Sequence, residues 1–146
     1  MERIQIDVAE PTAYQAMFAL EGYLAKSNLS ATQKNLIKIR SSQINGCAFC
    51  IDMHINEALK AGENPRRIYV LDGWRKTDWF SDDEIALLKM TEELTILSKD
   101  GLTEATYKDV LQHFDEQTFS QIVMAIVTIN AWNRIAISTN KPLLQD

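Results

Sequence analysis

Residues 36–54 read LIKIRSSQINGCAFCIDMH and contain both cysteines of the 146-residue chain. Asn45 and Gly46 tolerate positive φ, so they are expected to end the helix that precedes them. A new helix then begins at or just before Cys47 and continues through Leu59. The stretch therefore predicts two consecutive helices, with Cys47 in the first turn of the second.

The segments on either side also carry helical patterns. The predicted helices cover 12–26, 30–44, a short stretch after Pro65, 81–100, 103–111 and a long last segment from Asp115 or Thr118 to Ser138. Residues 1–12 are expected to be extended. Five glycines and three prolines are few for a β-sandwich or a barrel. We therefore expect one all-α domain over residues 1–146, with roughly seven helices.

The last predicted helix is apolar over most of its circumference. A helix of that kind is either central in the core or covered by another subunit. Asn130 and Asn133 lie near its end, where oligomer contacts or caps are expected to supply their hydrogen-bond partners. Trp74, Trp79 and Phe80 are expected in the core or at subunit interfaces rather than in a substrate pocket.

Charge and hydropathy exclude several classes of protein. The net charge is −5 and no basic patch is interleaved with aromatic residues, so a nucleic-acid partner is not expected. No apolar run approaches the roughly 20 residues of a membrane span, so no membrane partner is expected. The first residues, MERIQIDVAEP, carry acids where a signal peptide needs basic and then apolar residues. We therefore expect a cytoplasmic protein, in which a close pair of thiols is more often catalytic, redox-active or metal-binding than structural.

Cys47, Cys50 and His54 fall on one face of the predicted helix. Successive helical residues rotate by about 100°, which places Cys50 and His54 at the i,i+4 spacing where side chains touch. Cys47 is expected in the first turn, where free backbone N–H groups and the positive end of the helix dipole stabilise a thiolate. The histidine can remove the proton from Cys50 or stabilise the resulting thiolate. This pattern is typical of a dithiol that attacks a peroxide and then closes a disulfide.

Three alternatives to a redox dithiol stay open for the cysteine pair. A structural disulfide would close a very short loop and gain little entropy. Zinc could be bound by Cys47, Cys50 and His54, but a structural site needs a fourth ligand, and the only other histidine is His113. The cysteines could also be inert core residues. A redox or nucleophilic dithiol accounts for all three side chains, so we prefer it and expect no metal.

The motif in residues 35–54 also resembles a known family. The stretch from Leu36 to His54 is similar to the core motif of the carboxymuconolactone decarboxylase superfamily, in its alkylhydroperoxidase D-like (AhpD-like) branch. The similarity continues in Trp74-Arg75, in Phe80-Ser81 with Glu84, in Thr91-Glu92 and in residues 130–134. The resemblance implies an AhpD-like helical fold that assembles as a trimer or a hexamer. It also implies reduction of alkyl hydroperoxides without a cofactor, with recycling by an external thiol donor such as a lipoyl or thioredoxin-like protein.

The resemblance further implies a role for each residue of the motif. Cys50 would attack the peroxide, Cys47 would resolve the product as a disulfide, and His54 would belong to a proton relay to Cys50. The family's relay usually includes a glutamate where this chain has Asn35, and an amide cannot hand on a proton. Glu84, which opens a helix in a matching segment, is the preferred replacement. Glu57, just after His54, is expected to be solvated.

The resulting hypothesis is an antioxidant peroxidase that reduces alkyl hydroperoxides through a dithiol/disulfide cycle. A low-turnover redox sensor or a structural oligomer of the same fold is the alternative, because the usual relay acid is missing. A decarboxylase, as the superfamily name suggests, is less favoured. Members with that chemistry generally lack the cysteine pair, which would then have no role here.

Overall fold

The structure, a computed structural model, describes residues 1–145 and is all-helical over that range. The all-α prediction is confirmed. The described residues form eight α-helices and one 3-10 helix: α1 Ile6–Ala9, α2 Pro11–Ala25, α3 Ala31–Asn45, α4 Ala48–Lys60, α5 Pro65–Tyr69, the 3-10 helix Leu71–Lys76, α6 Asp82–Thr95, α7 Glu104–His113 and α8 Glu116–Ser138.

Helix α3 is fixed at both ends by local signals in the sequence. At its start, Ser30 and Gln33 form a reciprocal capping box, with hydrogen bonds of 3.0 and 3.1 Å. At its end, Gly46 adopts the left-handed conformation at φ 68°, which residues with a Cβ rarely adopt. The chain turns there, and Cys47 is the N-cap residue of α4, directly before the first turn in which the sequence places it.

Helix α3 is the centre of the molecule, because it packs against α4, α6 and α8. Branched and long aliphatic side chains from α3, α6 and α8 fill the core between them. The largest fully buried apolar side chains are Ile37, Ile39, Leu71, Leu87, Leu88, Met90, Val110, Ile122, Ile126 and Ile129. Burial of such side chains contributes about 1.5–3 kcal/mol each, so this layer carries much of the stability.

Two short elements depart from the predicted pattern. Residues 6–9 are helical rather than extended, and α1 packs on α2. Arg3 and Gln5 hold this segment by donating to backbone carbonyls at the end of α8, at 3.0–3.3 Å. These partners are distant in sequence, so local propensity does not reveal them. The 3-10 helix Leu71–Lys76 was also not predicted, and α6 ends at Thr95 rather than near residue 100.

Helix α8 buries one side against the core and leaves part of its apolar surface uncovered. Val127 and Ile137 are 49% and 44% exposed. The trimeric or hexameric assembly implied by the family resemblance stays a prediction. Within the part of the chain that the structure describes, no helix combines the length and the apolar character needed to cross a bilayer.

Candidate active site

The two cysteines lie where α3 passes into α4 and are bonded to each other as a disulfide. Cys47 is the N-cap residue of α4, and its Sγ accepts a hydrogen bond from the backbone N–H of Cys50 at 3.3 Å. The Cα atoms are 5.3 Å apart, and both side chains are 2% exposed. Cys50 lies in the first turn of α4, where the helix dipole favours a thiolate. The pair is therefore a short dithiol/disulfide unit at a helix start.

No group of three or more His, Cys, Asp or Glu side chains within residues 1–145 is arranged to hold a metal ion. The two sulfurs that a zinc site at this position would use are bonded to each other in this structure. The chemistry that the arrangement offers is thus that of a cysteine pair beside a histidine.

His54 is buried one turn after Cys50 and lines the same cavity. Its Nδ1 lies 2.8 Å from Oε2 of Glu57. Because a carboxylate can only accept, Nδ1 carries the proton in the neutral ring and Nε2 is the basic nitrogen. Burial lowers the pKa of His54 below 6.5, Lys38 lowers it further, and the hydrogen bond to Glu57 opposes both effects. At neutral pH the imidazole is therefore mainly neutral and can accept a proton.

The cavity beside Cys50 and His54 has a volume of about 290 Å³ and mostly apolar walls. Three aromatic rings from α2 and α8 form a cluster on one side. The Tyr14 ring centroid is 5.9 Å from that of Phe18 and 5.2 Å from that of Trp132, both in edge-to-face geometry. The remaining lining residues are Glu21, Lys38, Phe49, Met53, Glu57, Ile135, Ala136 and Lys141. A space of this size and polarity suits a small organic molecule.

Lys141 places a cation at the wall of this cavity. Asn140 adopts a left-handed conformation at φ 50° after α8, and the Lys141 N–H donates to the carbonyl of Ala136 at 3.0 Å. This turn carries the Lys141 ammonium to 5.5 Å from the ring centroids of Tyr14 and Phe49. The segment that follows α8 thus contributes to the cavity next to Cys50.

Glu84, the preferred replacement for the relay acid, does not line this cavity. Its Oε2 and Oε1 accept hydrogen bonds from the Arg67 guanidinium at 3.0 and 2.8 Å, and Oε2 also accepts from the backbone N–H of Ser81 at 3.0 Å. These contacts tie α5 to the first turn of α6. The structure does not bring Glu84 to the cysteines. Glu57, expected to be solvated, is the acid that contacts His54, although its side chain is 51% exposed.

A buried polar network lies behind the cysteines and joins α3 to α8. Asn45 Nδ2 donates to Oδ1 of Asn130 and of Asn133, both at 2.9 Å. Asn133 Nδ2 donates to Ser42 Oγ at 3.0 Å, and the Ser42 carbonyl accepts from the Cys47 N–H at 3.0 Å. The network thus supports the backbone that carries Cys47. Side chains of the same chain, and not helix caps, supply hydrogen-bond partners to Asn130 and Asn133, and the expected oligomer contacts stay a prediction.

The aromatic residues of the cavity are not those singled out in the sequence. Trp74, which packs in the core, donates from Nε1 to Glu92 at 2.8 Å. The aromatic rings that do line the cavity come from three helices that are far apart in sequence: residues 14 and 18 on α2, 49 on α4 and 132 on α8. The sequence offers two local signals, the i,i+4 spacing of Tyr14 and Phe18 and the position of Phe49 between the two cysteines.

Comparison with known proteins places the chain in a family. Residues 11–93 match the model of the carboxymuconolactone decarboxylase family. The chain is 39% identical to the uncharacterized protein YdfG of Bacillus subtilis over 137 residues, which span 94% of this chain and 93% of YdfG. A protein of unknown function from Agrobacterium tumefaciens, described as a candidate antioxidant defence protein AhpD, superposes with a TM-score of 0.95. Its sequence is 34% identical, and the match covers 100% of both chains.

A more distant solved structure shares the fold alone. The debrominase Bmp8 superposes with a TM-score of 0.83 at 18% identity, over 93% of this chain and 73% of Bmp8. One fold therefore hosts more than one named activity, and function has to be argued from the site. On the strength of the family match, the full-length relatives and the all-helical architecture, the chain belongs to the carboxymuconolactone decarboxylase family, in its AhpD-like branch.

Proposed function

We propose that the protein is a thiol-dependent reductase of organic hydroperoxides that cycles between a Cys47–Cys50 dithiol and a disulfide. One observation carries the proposal. Cys50 is bonded to Cys47 and shares an apolar cavity with a buried histidine, whose Nδ1 contacts Glu57, so that Nε2 is its basic nitrogen. A cysteine, a base and a resolving cysteine are the groups that this chemistry requires.

The first half of the cycle oxidises Cys50. In the reduced protein, His54 Nε2 takes the proton of the Cys50 thiol, and the thiolate attacks the terminal oxygen of the hydroperoxide. An S–O bond forms and the O–O bond breaks. The leaving alkoxide takes the proton from His54 and departs as the alcohol, so Cys50 becomes a sulfenic acid.

The second step closes the disulfide and releases water. The Cys47 sulfur attacks the Cys50 sulfur, the S–O bond breaks, and the hydroxide leaves with the proton lost by Cys47. One hydroperoxide and two thiols thus give one alcohol, one water and one disulfide, with two electrons transferred. An external thiol donor returns the pair to the dithiol by thiol–disulfide exchange. The chemistry needs no metal and no bound cofactor.

The cavity supports an organic rather than an inorganic peroxide as substrate. Its aromatic side chains offer apolar contact to a hydrocarbon body, and its volume of about 290 Å³ exceeds what hydrogen peroxide fills. An alkyl or aryl group bound there would hold the peroxide oxygen near Cys50 for many encounters. We therefore expect cumene hydroperoxide to be reduced with a lower KM than hydrogen peroxide.

A low-turnover redox sensor is the second candidate, and the missing relay acid favours it. Asn35 replaces the family's usual glutamate and does not line the cavity. Glu57 is half-exposed and would have to supply the relay in its place. Steady-state consumption of hydroperoxide with excess dithiothreitol separates the two. A sensor would form the disulfide once per molecule and cycle slowly.

Paired cysteine variants test the proposed roles. Cys50→Ser is expected to abolish hydroperoxide reduction, because no other thiol faces the cavity. Cys47→Ser is expected to stop the cycle after the first step, with Cys50 held as a sulfenic acid that dimedone labels. Equal hydroperoxide consumption by the Cys50→Ser variant and the wild type would overturn the proposal.

A further inference from the structure

The two residues of the disulfide line different cavities. Cys50 lines the cavity of about 290 Å³ that also contains His54, and Cys47 does not line it. Cys47 instead lines a second cavity, of about 180 Å³, which Cys50 does not line. The second cavity is bounded on its own side by Gly46, Ala48, Ile137 and Asn140. One residue of the disulfide therefore borders each of the two spaces.

Three residues border both spaces: Phe49, Ala136 and Lys141. Phe49 lies between the two cysteines in sequence, and the Lys141 ammonium is 5.5 Å from its ring centroid. A molecule in the cavity of His54 would thus lie beside residue Cys50, and a molecule in the second cavity would lie beside residue Cys47.

We propose that the reducing thiol reaches the disulfide through the second cavity and attacks Cys47, while the hydroperoxide enters the first cavity and reacts with Cys50. The inference rests on the redox cycle proposed above. Here Cys47 is the sulfur that bonds to the donor, and the second cavity is the route by which the donor arrives. Donor and hydroperoxide then do not compete for one cavity.

Attack on Cys47 leaves Cys50 free for the next hydroperoxide. The donor thiolate attacks Cys47 Sγ, the Cys47–Cys50 bond breaks, and a mixed disulfide forms between the donor and Cys47. Cys50 leaves as a thiolate on the wall of the cavity that contains His54. The donor adduct is then held on Cys47, which lines the second cavity.

A second donor thiol completes the reduction. It attacks the donor sulfur of the mixed disulfide, so that Cys47 leaves as a thiolate and takes up the proton of that thiol. The donor departs as a disulfide, and the protein has gained two electrons. The second cavity is smaller than the first, which favours a slender aliphatic dithiol over a bulky aromatic thiol.

Mapping the mixed disulfide tests the proposal without any hydroperoxide. Oxidised wild-type protein is treated briefly with excess 2-mercaptoethanol in the presence of iodoacetamide, quenched in acid and digested with trypsin. Both cysteines lie in the peptide 41–60, so fragmentation between residues 47 and 50 locates each modification. We expect the mercaptoethanol adduct on Cys47 and the carbamidomethyl group on Cys50. The reverse pattern would overturn the proposal.

Bulky substitutions then test the two routes. Ala48→Trp narrows the second cavity, and Met53→Trp narrows the first, since each residue lines only that cavity. Ala105→Trp is the control, because Ala105 is likewise exposed in the first turn of a helix but lies on α7, which packs on α6 and α8. The rate of reduction by dithiothreitol and the rate of oxidation by cumene hydroperoxide are measured separately for each variant.

The measured quantity is the rate of reduction divided by the rate of oxidation. This ratio should fall about tenfold in Ala48→Trp, rise in Met53→Trp and stay at the wild-type value in Ala105→Trp. A ratio that Ala48→Trp leaves at the wild-type value would overturn the separate route. Loss of peroxide oxidation in the wild type would instead contradict the proposed function, and the adduct map would still decide which sulfur the thiol attacks.

Discussion

His54 Nδ1 lies 2.8 Å from Oε2 of Glu57, its neighbour one turn further along α4. The contact orients the imidazole and leaves Nε2 as its basic nitrogen. The acid that supports the histidine thus comes from the same helix as Cys50. The family resemblance implies a relay glutamate at the position of Asn35, which lies on α3. The hydrogen bond to Glu57 thus orients the imidazole without that glutamate.

Glu57→Gln should move the pKa of His54 further down. The hydrogen bond and the charge of Glu57 both raise this pKa, and burial lowers it, so removal of the charge leaves burial less opposed. The titration midpoint of His54, followed by NMR, should therefore shift to lower pH. Comparison with a His113→Gln variant assigns the signal, because the chain has two histidines. A midpoint that rises in Glu57→Gln would contradict the contact.

Lys38→Met should move the same pKa in the opposite direction. The Lys38 ammonium lowers the pKa of His54 by repelling the imidazolium. Its removal should raise the NMR midpoint, so that more of the histidine is protonated under mildly acidic conditions and Cys50 is oxidised more slowly there. Lys108→Met, which removes an exposed charge on α7, serves as the control and should leave the midpoint in place.

The lowered pKa of His54 predicts the pH dependence of stability. Between the native pKa and the unfolded value of about 6.5, the unfolded chain binds more protons than the folded one. Stability due to this group is therefore present above about pH 6.5 and is lost as the pH falls towards the native pKa. Urea unfolding of the oxidised protein should show a smaller loss between about pH 8 and about pH 5 in His54→Gln than in the wild type. Equal losses would contradict the assignment.

Asn133→Ala should destabilise the protein by about 2 kcal/mol, because it leaves polar groups of Asn45 and Ser42 without their buried partner. Urea unfolding measures the change in the free energy of unfolding. Asn56→Ala removes an exposed amide on α4 and should change this free energy by less than about 0.5 kcal/mol. Equal stabilities of the two variants would show that the network contributes little.

Glu84→Gln should affect stability rather than peroxide chemistry. The variant weakens the paired hydrogen bonds to Arg67, which are largely buried, and should cost on the order of 2 kcal/mol. Glu104→Gln, an exposed acid in the first turn of α7, is the matched control. A folded Glu84→Gln protein whose Cys50 is no longer oxidised by hydroperoxide would show that Glu84 takes part in the proton relay.

Residues 30–54 show what the sequence could predict of the fold. The capping box at Ser30, the left-handed Gly46 and the helix start at Cys47 depend on local chemistry, so each was predictable. The short helix at residues 6–9 was not, since Arg3 and Gln5 hold it through the distant end of α8.

Some parts of the candidate site could likewise be predicted from the sequence, and others could not. Cys50 and His54 share a helix face, and helical geometry alone predicts that they meet. The sequence favours Glu84 over Glu57 because Glu84 lies in a segment that matches the family. In the structure Glu57 contacts His54, because it lies three residues further along the same helix. The cavity wall and the network of Asn130 and Asn133 depend on the packing of separate helices, for which a single sequence offers no local signal.

The central claim is that one hydroperoxide oxidises the pair Cys47 and Cys50 together. Fully reduced protein is mixed without oxygen with one equivalent of cumene hydroperoxide, and thiols and products are counted. We expect both thiols to disappear as the Cys47–Cys50 disulfide forms, with one equivalent of cumyl alcohol released. Two thiols that persist while the hydroperoxide remains unconsumed would contradict the claim.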